Sequence, residues 1–158
     1  ANPNNPTGTF VPYAKIKKFL DMVPKSVVVV LDEAYYEYLE PKERVDTTRW
    51  LQEYPNLVIT RTFSKIYGLA GLRIGYGLAS PEVVELLNRV RQPFNASTLA
   101  LAAATAALDD SDFVVESFEL NRQGRTQLLE GLEKLGLECL PAYGNFVTFQ
   151  VPAASKVN

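Results

Sequence analysis

The chain has 158 residues, 47% of them hydrophobic and 22% charged, enough to bury one ordinary core. A formal charge of −2 and a pI near 5.3, with basic residues scattered along the chain, exclude the electrostatic footprint of a nucleic-acid or anionic-membrane binder and favour small-molecule chemistry. There is no histidine and one cysteine, Cys139, so His-dependent triads, His-rich metal sites, CxxC pairs and intrachain disulfides are excluded.

Pro12 opens the first periodic pattern. Tyr13, Ile16, Phe19, Leu20 and Val23 recur on one side and Lys15, Lys17 and Lys18 fall largely on the other, which predicts an amphipathic helix with a solvated lysine face ending near Pro24. The β-branched run VVVVL closes on Asp32 and predicts a strand covered on both faces. LVITRTF (residues 57–63) predicts a second strand and IGYGLA (residues 74–79) a third. Ser80-Pro81-Glu82 then signals a helix start, with a capping serine and proline at the first helical position, and Val83, Leu86, Leu87 and Val90 supply its expected buried stripe.

Pro93 stops that helix, and TLALAAATAAL predicts an alanine-rich one. Asp109, Asp110 and Asp112 begin a longer helix that carries Phe113, Phe118, Leu128, Leu132 and Leu135 and stops near Gly136. LECL and NFVTFQV alternate as half-buried strands, and Cys139 within the first reads as a small buried hydrophobe. This order predicts the later part of an α/β domain over residues 1–109, passing through the long helix into a smaller, incomplete α+β unit over 110–158. The opening ANPNNP, without a methionine or a signal-like apolar run, reads as part of something longer, and the sequon Asn95-Ala96-Ser97 as chance.

In open α/β sheets ligands gather beyond the carboxyl ends of the strands. VVVVL delivers Asp32 to such an end, and LVITRTF delivers Ser64 and Lys65. Each residue alone is equally a turn or a solvated surface group. GLAGLRIGYG is neither a Walker A sequence nor a GxGxxG fingerprint, but the hydroxyls of Thr62 and Ser64 with Arg73 nearby can hold one phosphate, the guanidinium offering paired donors. NPNNPTG is a turn by composition, whose asparagine amides serve structure or a site equally well.

Together, Asn5 in NPTG, Asp32 and Tyr35 in DEAY, Thr62, Ser64 and Lys65 in TFSK, and Arg73 in GLAGLRIGYG resemble the fold type I, pyridoxal-phosphate-dependent class I/II aminotransferases. NPNNPTG, LDEAYYEYL and RTFSKIYGLAGLRIGY are similar, more narrowly, to the histidinol-phosphate branch of that family, and the likeness runs through NFVTFQV. The resemblance implies the later part of the large α/β/α domain and the start of the small α+β domain. It implies that Lys65 bonds to the cofactor aldehyde and shuttles the proton at the substrate Cα, and that Asp32 keeps the pyridine nitrogen protonated. Tyr35 and Asn5 would meet the phenolic oxygen, Thr62, Ser64 and Arg73 the phosphate, and Asn145 the substrate.

The family further implies amino-acid and 2-oxo-acid substrates (histidinol phosphate and 2-oxoglutarate), a cytoplasmic homodimer, no metal, no nucleic acid and no membrane. Family features outside these residues, a glycine-containing phosphate loop, a ring-stacking aromatic residue and the arginine that grips the substrate carboxylate, imply that the isolated chain is inactive. Two alternatives stay open at this level: another aminotransferase, for aromatic or other amino acids, or a related decarboxylase; and a non-catalytic α/β module that binds a phosphorylated ligand. Tyr36, Tyr38 and Tyr67 read first as packing groups, and Arg122 and Arg125 as a solvated helix face.

Overall fold

Helix α1 (Tyr13–Met22) forms where the first amphipathic pattern predicts it, and buries Tyr13 and Leu20 while Lys15 and Lys18 stay in solvent. Phe19, expected on the inner side, is half exposed at the margin of the contact. The computed structural model describes residues 1–151; the last seven residues of the expected second unit lie outside that range.

Three strands build one sheet in the order β1 (Val29–Asp32), β2 (Leu57–Thr62), β3 (Gly75–Ala79). β1 and β2 are parallel, with Asp32 opposite Thr60, and β2 and β3 are antiparallel, with Thr62 opposite Gly75. The excursion between β1 and β2 contains short 3₁₀ turns at Tyr36–Tyr38, Pro41–Glu43 and Thr47–Gln52. The last of these brings Trp50 against Tyr13, and a core of Leu31, Leu39, Leu57 and Ile59 closes around the pair.

β1 departs from the expectation of cover on both faces. Leu31 is buried under α1, but Val28 and Val30 on the other face are 58% and 57% exposed. A run of valines reports strand propensity and the capacity to be buried, not whether a neighbouring layer is present.

Helix α2 (Pro81–Val90) starts as predicted, with the Ser80 hydroxyl accepting from Val83 N at 3.4 Å. Its expected stripe is not buried: Leu86, Leu87 and Val90 are exposed, the helix packing chiefly beside β3 among the described elements. The alanine-rich helix α3 (Thr98–Asp109) lays Ala100 and Ala104 against Phe63 and Ile74. Small side chains there let the helix approach the loop after β2 closely. Asp110, capping Phe113 N at 3.1 Å, starts α4 (Ser111–Lys134), and Gly136 follows its end with φ +71°.

The two strands expected after α4 reduce to one antiparallel bridge between Cys139 and Phe149, flanked by bonds from Leu140 N to Thr148 O and from Gln150 N to Glu138 O. Pro141 has no N–H to extend the ladder. Cys139 is half-buried rather than enclosed. No described helix is long and apolar enough to cross a membrane.

Candidate active site

The strand directions decide what meets what. Because β1 and β2 run parallel, their carboxyl ends lie at the same edge of the sheet, so Asp32 and the Thr62–Lys65 run emerge side by side. Because β3 runs back, its first residue Gly75 starts at that same edge, and Arg73 arrives there just before it. Asp32, Thr62, Ser64, Lys65, Arg73 and Gly75 line one open cavity of about 410 Å³.

The turn between β2 and β3 is fixed by its own backbone. Phe63 N donates to Ile74 O at 3.1 Å, Leu69 N to Phe63 O at 3.0 Å and Gly68 N to Lys65 O at 2.9 Å. Gly68 has φ +71°, and Arg73 itself sits in the left-handed region at φ 51°, a conformation that sites built on tight turns retain. The Arg73 guanidinium donates to Ala70 O at 3.1 Å and is otherwise exposed. A Cβ on Gly75 would stand 2.7 Å from Arg61 O, so only glycine allows β3 to close against β2 beside the cavity.

Asp32 Oδ1 accepts from Ala34 N at 3.1 Å and from the Thr60 hydroxyl at 3.3 Å; among the described residues its Oδ2 has no donor. The carboxylate is thereby oriented with one oxygen available. The Lys65 ammonium lies 5.1 Å from the centre of the Tyr35 ring and belongs to no ion pair among the described residues. Asn5 Nδ2 donates to Tyr35 Oη at 2.8 Å, leaving the phenol hydrogen for a third group. The Ser64 hydroxyl follows a backbone N–H that donates to Thr62 Oγ1 at 3.0 Å.

Among the surrounding phenols, Tyr38 is pushed up to about 12 by burial, with Glu37 and Tyr35 adding to the rise and the Asn145 amide working against it. Burial likewise pushes Tyr67 up to about 12. These groups are neutral packing residues over the ordinary pH range. A second concavity of about 280 Å³ beside α1 and β1, with Ile16, Phe19, Leu20, Val29 and Leu31 in its lining, lacks this convergence of polar groups.

Residues 1–157 match the sequence profile of the aminotransferase class I and II family. The chain belongs to that family. Among curated aminotransferases it is 63% identical over 158 residues to histidinol-phosphate aminotransferase 1 of Dechloromonas aromatica and 58% identical to that of Thiobacillus denitrificans. Both alignments take in 100% of this chain but 44% and 41% of the relatives, so the chain spans less than half their length. A crystal structure of histidinol-phosphate aminotransferase from Sinorhizobium meliloti, in complex with pyridoxal-5'-phosphate, superposes with a TM-score of 0.86 at 38% identity, covering 92% of this chain and 40% of that one. The fold is that of the fold type I aminotransferases.

Against that frame, the structure gathers Asp32, Thr62, Ser64, Lys65 and Arg73 around one cavity and bonds Asn5 to Tyr35 at its side. It does not bring Asn145 to the cavity. Asn145 is exposed and lines a separate groove with Arg125 and Phe146, although the Phe146 ring packs edge-on against Tyr35 at 5.5 Å. Arg125 is also not the solvated residue expected: its side chain is 16% exposed and lies 3.7 Å from Glu40. Sequence reasoning passed over Glu33 and Arg61 altogether, an ion pair at 2.8 Å beside the site in which Glu33 is fully buried and the Arg61 side chain is 14% exposed. The available signal was a second carboxylate after Asp32 and an arginine inside a β-branched run, both costly in a strand unless paired.

Proposed function

We propose that the protein to which this chain belongs is a pyridoxal-phosphate-dependent aminotransferase that exchanges the amino group between histidinol phosphate and 2-oxoglutarate, giving imidazole-acetol phosphate and glutamate. The observation that carries the reading is the convergence, at one sheet edge, of a carboxylate, an uncommitted lysine and a hydroxyl and guanidinium set. The relatives above supply the substrate; the chain's own residues supply the fit. Gly75 lets β3 close against β2 beside the donors of Thr62, Ser64 and Arg73, a set that suits a phosphate, and Asp32 offers one free carboxylate oxygen to a ring nitrogen.

When bound, the cofactor supplies an aldehyde that bonds to amines and a ring that accepts the electron pair left when a Cα–H bond breaks. Lys65 Nζ would hold the cofactor through its aldehyde and, as a free amine, would carry the proton to and from the substrate Cα. Asp32 would hold the proton on the ring nitrogen. Tyr35, accepting from Asn5, keeps its own hydrogen to donate to the ring oxygen. Thr62, Ser64 and Arg73 would hold its phosphate. Asn145, next to the Phe146 ring on Tyr35, is assigned to the substrate side.

The reading includes a division near residue 110, where Asp110 separates α3 from α4, and a cytoplasmic homodimer, consistent with the apolar side chains left exposed on α2. The test is an absorbance spectrum of the full-length parent with pyridoxal phosphate before and after borohydride reduction, followed by peptide mass spectrometry. A reduced adduct on Lys65, with turnover of histidinol phosphate well above that of aromatic amino acids, is the expected result. An adduct on another lysine, or none, overturns the reading and leaves a phosphate-binding module.

A further inference from the structure

Glu33 follows Asp32 in the chain, yet the alternation of an extended backbone turns it to the other side of the sheet, where it is 0% exposed. Its carboxylate accepts from Tyr13 Oη at 2.9 Å, from Thr47 Oγ1 at 3.0 Å, and from Arg61 Nε and Nη2 at 3.0 and 2.8 Å. The guanidinium also lies over the Tyr36 ring, 4.1 Å from its centre. One carboxylate thus ties together α1, the 3₁₀ turn at Thr47–Gln52, and β2.

The place of this pair in the register is informative. Asp32 stands opposite Thr60, whose hydroxyl bonds Asp32 Oδ1 and whose carbonyl accepts from Glu33 N at 2.8 Å. Arg61 sits between Thr60 and Thr62, so the ion pair crosses from the residue after Asp32 to the residue before the Thr62–Lys65 run. Buried ion pairs are weak stabilisers, because desolvation offsets the attraction, and an apolar pair of similar volume serves a core as well. A two-pronged, fully hydrogen-bonded contact instead fixes a distance.

We infer that Glu33 and Arg61 are positioning residues that set the spacing and angle between Asp32 and the Thr62–Ser64–Lys65 run, and so between the group holding the ring nitrogen and those holding the phosphate and the aldehyde carbon. The inference rests on the cofactor reading above. It separates two roles that a single substitution confounds: balancing a buried charge and aligning two strand ends.

The experiment uses the full-length parent with Glu33→Gln, Arg61→Met and the double variant, and reads thermal midpoint, pyridoxal phosphate affinity, and the pH dependence of the bound cofactor's absorbance. Each single variant leaves one charge unpaired and lowers both midpoint and affinity. The double variant recovers the midpoint but still binds the cofactor at least about tenfold more weakly, with a displaced absorbance titration, because misalignment persists after charge balance is restored. Recovery of affinity together with the midpoint overturns the inference and leaves a charge-balancing pair. Should the double variant not fold, Arg61→Lys decides: it keeps the charge and loses the fork, so weakened affinity at an unchanged midpoint supports alignment, and unchanged affinity overturns it. A wild-type protein with no adduct on Lys65 removes the functional reading as well, whereas an adduct with variants of unaltered affinity removes this inference alone.

Discussion

Asn5 reaches Tyr35 across thirty residues of sequence, its Nδ2 donating to the phenol oxygen at 2.8 Å, and this bond joins the amino-terminal turn to the segment that follows β1. Phe146 packs on the same ring from the carboxyl-terminal side, so three separate stretches of chain meet at one phenol. Asn5→Ala and Tyr35→Phe are each expected to weaken cofactor binding in the full-length parent. A double-mutant cycle should give a coupling of about 1 kcal/mol. Strictly additive losses would show that the bond does not act at the site.

Asp32→Asn tests charge apart from shape. The amide oxygen keeps the acceptor for Ala34 N and Thr60 Oγ1, so the local fold stands. Turnover is expected to fall at least about a hundredfold, roughly 2.7 kcal/mol of barrier, while the reduced adduct on Lys65 still forms. Near-normal turnover in this variant would remove the ring-nitrogen role from Asp32.

Gly75 and Gly77 form a matched pair on β3. An alanine Cβ at Gly75 would lie 2.7 Å from the backbone oxygen of Arg61, whereas at Gly77 the nearest atom, Ile59 O, is at 3.8 Å. Gly75→Ala should cost about 1–3 kcal/mol of stability, since a backbone in a paired strand yields little, and Gly77→Ala should be close to neutral. Denaturant midpoints of the two variants, compared in the same parent, check the contrast.

Tyr38 gives an alkaline prediction with a definite sign. Its folded-state value of about 12 lies above the ordinary 10.0, chiefly through burial, and burial also raises Tyr13. Between pH 10 and 12 the unfolded chain releases these protons and the folded chain keeps them, so the stabilisation present below pH 10 is lost as pH rises towards 12. Urea melts from pH 9 to 12 should show a falling midpoint, and Tyr38→Phe should flatten part of the slope. A slope unchanged in that variant would rule out Tyr38 as its source.

Much of this arrangement is legible in the order of residues. Asp32 and Lys65 are each the polar close of an apolar run, and two such runs become neighbours whenever they pair in parallel. Arg73 is legible only as a cation near glycines; its arrival at the same edge depends on β3 turning back, which the run IGYGLA alone does not specify. Glu33 and Arg61 were hidden because their partnership spans twenty-eight residues and each reads alone as surface. The valines of β1 and the leucines of α2 show the opposite limit. Periodicity says which side chains are able to be buried, whereas cover depends on a second layer that periodicity does not encode.

The bonds from Phe63 to Ile74 and from Leu69 to Phe63 close the link between β2 and β3 into a ring of set circumference. Length within that ring is therefore a calibrated quantity. Removing one residue between Lys65 and Arg73 shortens the path by up to about 3.3 Å, more than the length of a hydrogen bond, and would displace Arg73 relative to Lys65 while removing neither side chain. Single-residue deletions there should therefore silence the site more thoroughly than most substitutions in the same segment, and variation among working relatives is expected to change the letters of this loop far more freely than their number.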